Sequence, residues 1–108
     1  MEITSYQETI RMYANYHKDL GPFTLVLSLG KHYGDFADKL FKILEMNDGD
    51  ITDEDKFKLS ISLGDMMNDI SNMAADLDMS MDDILKINIR KLEMANNKIM
   101  NSENRFET

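Results

Sequence analysis

Apolar residues recur at three- or four-residue spacing over most of the chain, and the polar punctuation between the runs is short. Ile3, Tyr6, Ile10, Tyr13 and Tyr16 predict a first helix that ends before Gly21-Pro22, with His17 near its end. A second helix runs from about Phe23 to Met46, with Leu25, Leu29, Phe36, Leu40, Ile43 and Leu44 on its apolar side. Gly30 and Gly34 weaken that helix and leave room on one face for a close neighbour or a ligand. The segment NDGDI reads as a turn, and Thr52 followed by Asp55 forms a capping box that opens a third helix through about Leu77. Ser80 with Asp82 and Asp83 opens a fourth, directing Ile84, Ile87 and Leu92 inward and Lys86, Arg90 and Lys91 to solvent. Four antiparallel helices on short connections predict an all-α bundle spanning residues 1–100, followed by a polar tail at 101–108.

With 108 residues the chain makes one domain, and its lack of cysteine excludes disulfides, zinc-thiolate sites and thiol nucleophiles. Met66, Met73 and Met81, three of ten methionines, sit at helical spacing and read as core or interface packing. No apolar run approaches the roughly 20 residues of a membrane span. The opening MEITSYQETI lacks the basic and apolar regions of a signal peptide, so a cytoplasmic location is expected. The net charge of −8 lies almost wholly in residues 47–83, where eleven acids face two bases. Such a field disfavours direct nucleic-acid binding and leaves cations, basic proteins and magnesium-bearing ligands open. Phosphate-binding glycine loops and Ser/His/Asp arrangements are missing from the sequence pattern.

The segments LSLGKHYGDFADKLFKIL and SLGDMMNDISNMAADLDMSMDDILKINIRKL resemble the MazG-type all-α nucleoside triphosphate pyrophosphohydrolases over about residues 23 to 95. That family carries ExxE on one helix, ExxD on the next and a later N-x-x-K. Carboxylates three apart share a helix face, so two such pairs can cage magnesium against a triphosphate. Matched residue by residue, the resemblance places His32 and Asp35 at the first pair, Ser62 and Asp65 at the second, and Asn88 and Lys91 at the third, with Ala95 where a basic residue belongs. Asp69, one turn beyond Asp65, also edges this pocket. A His/Asp/Ser/Asp set binds magnesium poorly, so the resemblance implies a vestigial pocket with no catalytic residue and no resident metal.

The acids then become the candidate interaction surface: Asp48, Asp50, Asp53, Glu54 and Asp55 before one end of the third helix, and Asp76, Asp78, Asp82 and Asp83 at the other. The chain is similar to small acidic phage proteins that inhibit the histone-like protein HU, which implies a homodimer that imitates duplex DNA toward a basic nucleoid-associated partner in the host cytoplasm. Two alternatives use the pocket instead. One is a divergent, magnesium-dependent pyrophosphohydrolase working through Asp35, Asp65 and Asp69. The other is a nucleotide-binding module without turnover.

Overall fold

A computed structural model describes residues 1–16 and 18–107, with side chains described except at 18 and 102–107. His17, expected near a helix end, lies outside the described residues. Four helices, α1 (Ile3–Met12), α2 (Pro22–Asn47), α3 (Asp53–Asp76) and α4 (Met81–Glu107), are joined by short connections, one of which holds a 3-10 turn at Lys18–Leu20. There is no strand among the described residues, so the all-α expectation holds. None of their helices is long and apolar enough to cross a membrane.

Local chemistry sets the boundaries. Gly21 adopts φ +55 and ψ −136, a conformation open to glycine and little else, and Pro22 follows as the first residue of α2. The expected capping box is present: Thr52 Oγ1 accepts from the Asp55 amide at 3.1 Å, and the Asp55 carboxylate accepts from the Thr52 amide at 3.1 Å. At the far end of α3 the amides of Asp78 and Met79 donate to the carbonyls of Ala75 and Ala74, closing a Schellman motif with Asp78 at φ +55. The first helix is shorter than its apolar spacing predicts. It stops at Met12, Tyr13 is exposed, and Tyr16 folds back to place its hydroxyl against Arg11 and Asp76.

The centre of the molecule is the antiparallel α2–α3 hairpin. Along α2 the covered positions include Leu25, Leu29, His32, Phe36, Lys39 and Ile43, with Thr24 and Ser28 beside them; along α3 they include Asp55, Leu59, Ser62, Met66, Asp69, Met73 and Asp76, with Asp65, Asn68, Ser71, Asn72 and Ala74 beside them toward α1 and α4. Both series step by alternating threes and fours, the seam of a coiled coil. Two of its layers are polar. Lys39 Nζ donates to Ser62 Oγ at 2.6 Å, and His32 Nδ1 lies 2.7 Å from Asp69 Oδ2. Descending seven residues on α2 while ascending seven on α3 moves from one layer to the other, so these bonds define a single register.

The first helix runs alongside α3 in the same direction, since Tyr6 bonds Asn68 while Arg11 reaches Asn72 and Asp76. The fourth is held at its base. Gln7 donates through Nε2 to the Met79 carbonyl and accepts from the Met81 amide, both at 3.0 Å, and Met81 is 2% exposed. Beyond Ile84 the helix leaves the rest of the chain, and every residue from 85 to 101 is exposed. Ile87 and Leu92, expected to point inward, are 64% and 60% exposed, because none of the described residues covers that length. Helix also continues through Glu107, across the segment read as a tail.

The resulting shape is open. Its radius of gyration is 18.6 Å, against about 13 Å for a compact domain of this length. Its surface is 8638 Å², against roughly 6,200 Å² for a typical folded chain of 12.5 kDa.

Candidate functional site

The inner face of α3 is unusually polar. Ser62, Asp69 and Asn72 are buried on it, with Asp65 and Asp76 half-buried beside them. Buried polar groups generally find partners, and α1 and α2 supply them to Ser62, Asp69 and Asn72, whereas the Ser71 hydroxyl, on a residue 1% exposed, has none among the described residues. Ser28 Oγ donates to both Asp69 carboxylate oxygens at 3.0 and 3.1 Å, and His32 Nδ1 approaches Oδ2. Asp69 is the hub of this trio. The serine bonds the carboxylate and not the imidazole, so the trio lacks the serine–histidine–aspartate relay of a nucleophilic triad.

Two turns further on, Arg11 Nη2 donates to Asp76 Oδ1 at 2.7 Å and Tyr16 donates its hydroxyl to Asp76 Oδ2 at 2.7 Å. Arg11 Nη1 also donates to the Tyr16 hydroxyl oxygen and, at 3.4 Å, to Asn72. The hydrogen bond to Tyr16, reinforced by Asp76, holds the guanidinium above its ordinary pKa against the opposing effect of burial. Burial raises Tyr16 and Asp76 raises it further, while Arg11 pulls the other way. A cleft of about 310 Å³ opens between these groups, lined by Tyr13, Tyr16, Thr24, Ser28, Asp69 and Asn72 among others.

The matched pocket positions are only partly brought together. His32 is half-buried, but its partner is Asp69; Asp35 is exposed, because a step of three along α2 leaves the seam that a step of four, to Phe36, retains. Ser62 is 3% exposed and its oxygen accepts from the Lys39 ammonium. Asp65 is half-buried. Asn88 and Lys91 stand on the exposed length of α4, where Lys91 borders a shallow surface groove with Ile87, Arg90 and Met94 instead of facing the cleft. No group of three or more His, Asp or Glu among the described residues is placed to hold a metal ion. The residues do not fit magnesium: a lysine ammonium sits on Ser62, and the one buried carboxylate of the hairpin's polar layers is committed to Ser28 and His32.

The acidic candidates separate into two groups at opposite ends of α3. Asp48, Asp50 and Asp53 are exposed in a segment with no base, and the exposed Glu54 meets Lys58 at 3.3 Å. Asp55 is spent on its cap, and the hydrogen bonds from Thr52 lower its pKa. At the other end Asp78 and Asp83 are exposed, while Asp82 bonds Lys86 at 2.8 Å. Asp76 belongs to the Arg11 and Tyr16 cluster, with 8% of its side chain exposed, and so leaves the candidate outer surface. Ser28, Lys39, Arg11, Tyr16 and Asn72 were not singled out by motif matching. The signal for Lys39 was present in the seven-residue seam repeat of α2, whereas Ser28 lies one position outside that repeat.

The geometry defines an all-α protein with a polar-layered helical hairpin and acids gathered at both hairpin ends. Compared with known proteins, the chain matches no family model, no curated protein and no solved structure. The likeness to MazG-type enzymes therefore rests on the motif residues themselves.

Proposed function

We propose that this chain is a catalytically inactive, MazG-like binding protein whose acidic ends engage the DNA-binding surface of a basic nucleoid-associated protein of the histone-like type. The observation that carries the reading is the placement of exposed carboxylates at both ends of one rigid helix. The 24 residues of α3 span about 36 Å, close to the roughly 34 Å of one duplex turn. Duplex DNA presents one negative charge per roughly 1.7 Å of axis, so a surface reading phosphates through lysine and arginine responds to spaced carboxylates in the same way. The pocket supports the reading indirectly, since its Ser62 and Asp69 are bonded within the hairpin.

The test is competition between this chain and a short DNA duplex for a purified histone-like protein, run at low and moderate salt. Displacement of DNA that weakens as salt rises is the expected result. Neutralising Asp48, Asp50 and Asp53 to asparagine, or Asp78 and Asp83 to asparagine, should each weaken it. Failure to displace DNA at low salt refutes the reading. Magnesium-dependent release of pyrophosphate, abolished by Asp65→Ala, would establish the enzymatic alternative in its place.

A further inference from the structure

Of the two polar layers in the hairpin, one is electrically closed and the other is open. His32 meets the carboxylate of Asp69, whereas the Lys39 ammonium donates to the neutral Ser62 hydroxyl at 2.6 Å. Lys39 is the one half-buried lysine among the described residues. No carboxylate among those residues stands within ion-pair distance of it, although Arg11, Lys42, Lys58 and Lys86 each have one. Asp35 lies one turn back on α2, at a spacing from which a carboxylate commonly meets a lysine, yet it is exposed and Lys39 turns inward to the seam. A partly desolvated cation without a counter-charge is unfavourable, because burial weakens its hydration and offers only one neutral acceptor in exchange.

Lys39 lines a cleft of about 330 Å³ at the turn end of the hairpin. Lys42 follows it by three residues on α2 and Lys58 precedes Ser62 by four on α3, so both flank the same cleft one turn nearer the loop. The apolar part of the lining is Ile43, Met46 and Leu59. Asp55 is the one acid among the described residues that line it, and its carboxylate accepts from the Thr52 amide in the cap of α3. The two flanking lysines are held by exposed pairs with Asp38 and Glu54, contacts of a kind that contribute little and exchange readily. Three ammonium groups thus share one apolar cleft in a protein of net charge −8. None of the lining residues is a position matched to the pyrophosphohydrolase motif.

We propose that this cleft is a binding site for a small amphiphilic carboxylate, its head group among Lys39, Lys42 and Lys58 and its aliphatic chain along Ile43, Met46 and Leu59. The head supplies the counter-charge that Lys39 lacks, and the chain covers apolar surface that water now meets. A volume of about 330 Å³ falls at the lower end of small-molecule sites, which run from roughly 300 to 1,000 Å³. From Lys39 to Met46 the helix advances about 10 Å, the length of an extended chain of roughly eight carbons. Three lysines against Asp55 leave an excess of two positive charges, which suits a single carboxylate better than a polyphosphate. The site stands apart from the acidic-partner reading and does not depend on it.

Octanoate is the probe, titrated into the whole chain and followed by calorimetry and by NMR shifts of the backbone amides. Saturable binding with shifts over residues 39–47 and 55–62 is expected. Octanol and octylammonium, which have the same chain without the anionic head, should bind about tenfold more weakly or less. Each methylene removed from octanoate should weaken binding by up to about fourfold. Lys39→Met keeps an unbranched stem, removes the charge and should cost about tenfold in octanoate affinity, with Lys39→Arg restoring most of it. Lys42→Gln combined with Lys58→Gln, both on exposed positions, should weaken binding in the same way and keeps the test decisive should the seam be disturbed at position 39. Absence of saturable binding overturns the proposal, as does octanol binding as tightly as octanoate. Affinity unchanged by the lysine variants, or shifts confined to the exposed length of α4, overturns it too. A nucleoside triphosphate binding this cleft more tightly than octanoate also overturns it, by assigning the lysines to phosphate. No nucleoid-associated protein enters the titration, so its failure and the failure of DNA competition are separate results.

Discussion

The polar layer at His32 and Asp69 offers a quantitative test of how the hairpin is specified. Asp69 is 6% exposed and accepts from Ser28 and His32, both half-buried. In Asp69→Ala those donors lose their acceptor, and hydrogen bonds to a charged group are worth about 1.5 to 3 kcal/mol each. Because His32 is 26% exposed on its side chain, water recovers part of its loss, and the expected total is about 2 to 3 kcal/mol. The double variant His32→Leu/Asp69→Leu behaves oppositely. It removes the charge and one of its two donors, leaves the half-buried Ser28 hydroxyl to water, and adds two apolar side chains to the seam, so stability should equal or exceed that of the parent by up to about 2 kcal/mol. Urea unfolding followed by helical circular dichroism at one fixed protein concentration reads both values. A double variant as unstable as Asp69→Ala would refute the idea that the layer sets register at a cost in stability.

Three further outcomes follow from individual contacts. Asp78 holds a left-handed conformation suited to glycine, so Asp78→Gly should stabilise the protein by about 0.5 to 1 kcal/mol in the same urea assay. Gln7→Ala removes two hydrogen bonds at the base of α4 and should cost about 1 to 2 kcal/mol, with faster hydrogen exchange at the Met81 amide. Asp55 has a folded pKa below its ordinary value, so its contribution to stability is complete above the normal carboxylate range and disappears as pH falls through the folded value. NMR titration should find its midpoint below that of an exposed aspartate, and Asp55→Asn should flatten part of the acid limb of stability against pH.

Helix boundaries were largely legible because capping is local. Thr52 with Asp55, Pro22, and Ser80 ahead of two acids each act within one turn, and each ends or opens a helix where the residues say. The candidate pocket was less legible. A motif spacing of three pairs His32 with Asp35, whereas the hairpin selects positions on a 3.5-residue repeat and so pairs His32 across to Asp69 and brings Lys39 to Ser62. Tyr16 matched the apolar period of α1, but its hydroxyl bonds Asp76, a long-range contact that no local period encodes. Ile87 and Leu92 show another limit: apolar spacing identifies a face that needs covering without saying whether the same chain covers it.

The attachment of α4 has a mechanical consequence. A 27-residue helix is about 40 Å long, and among the described residues the side-chain hydrogen bonds that reach its base from another helix come from α1, through Gln7. Such an element acts as a lever: a tilt of about 10° at the base displaces the tip by roughly 7 Å. Whatever shifts the ten residues of α1, a bound molecule or a change in the first residues of the chain, is thereby magnified into a displacement at the far end of the protein.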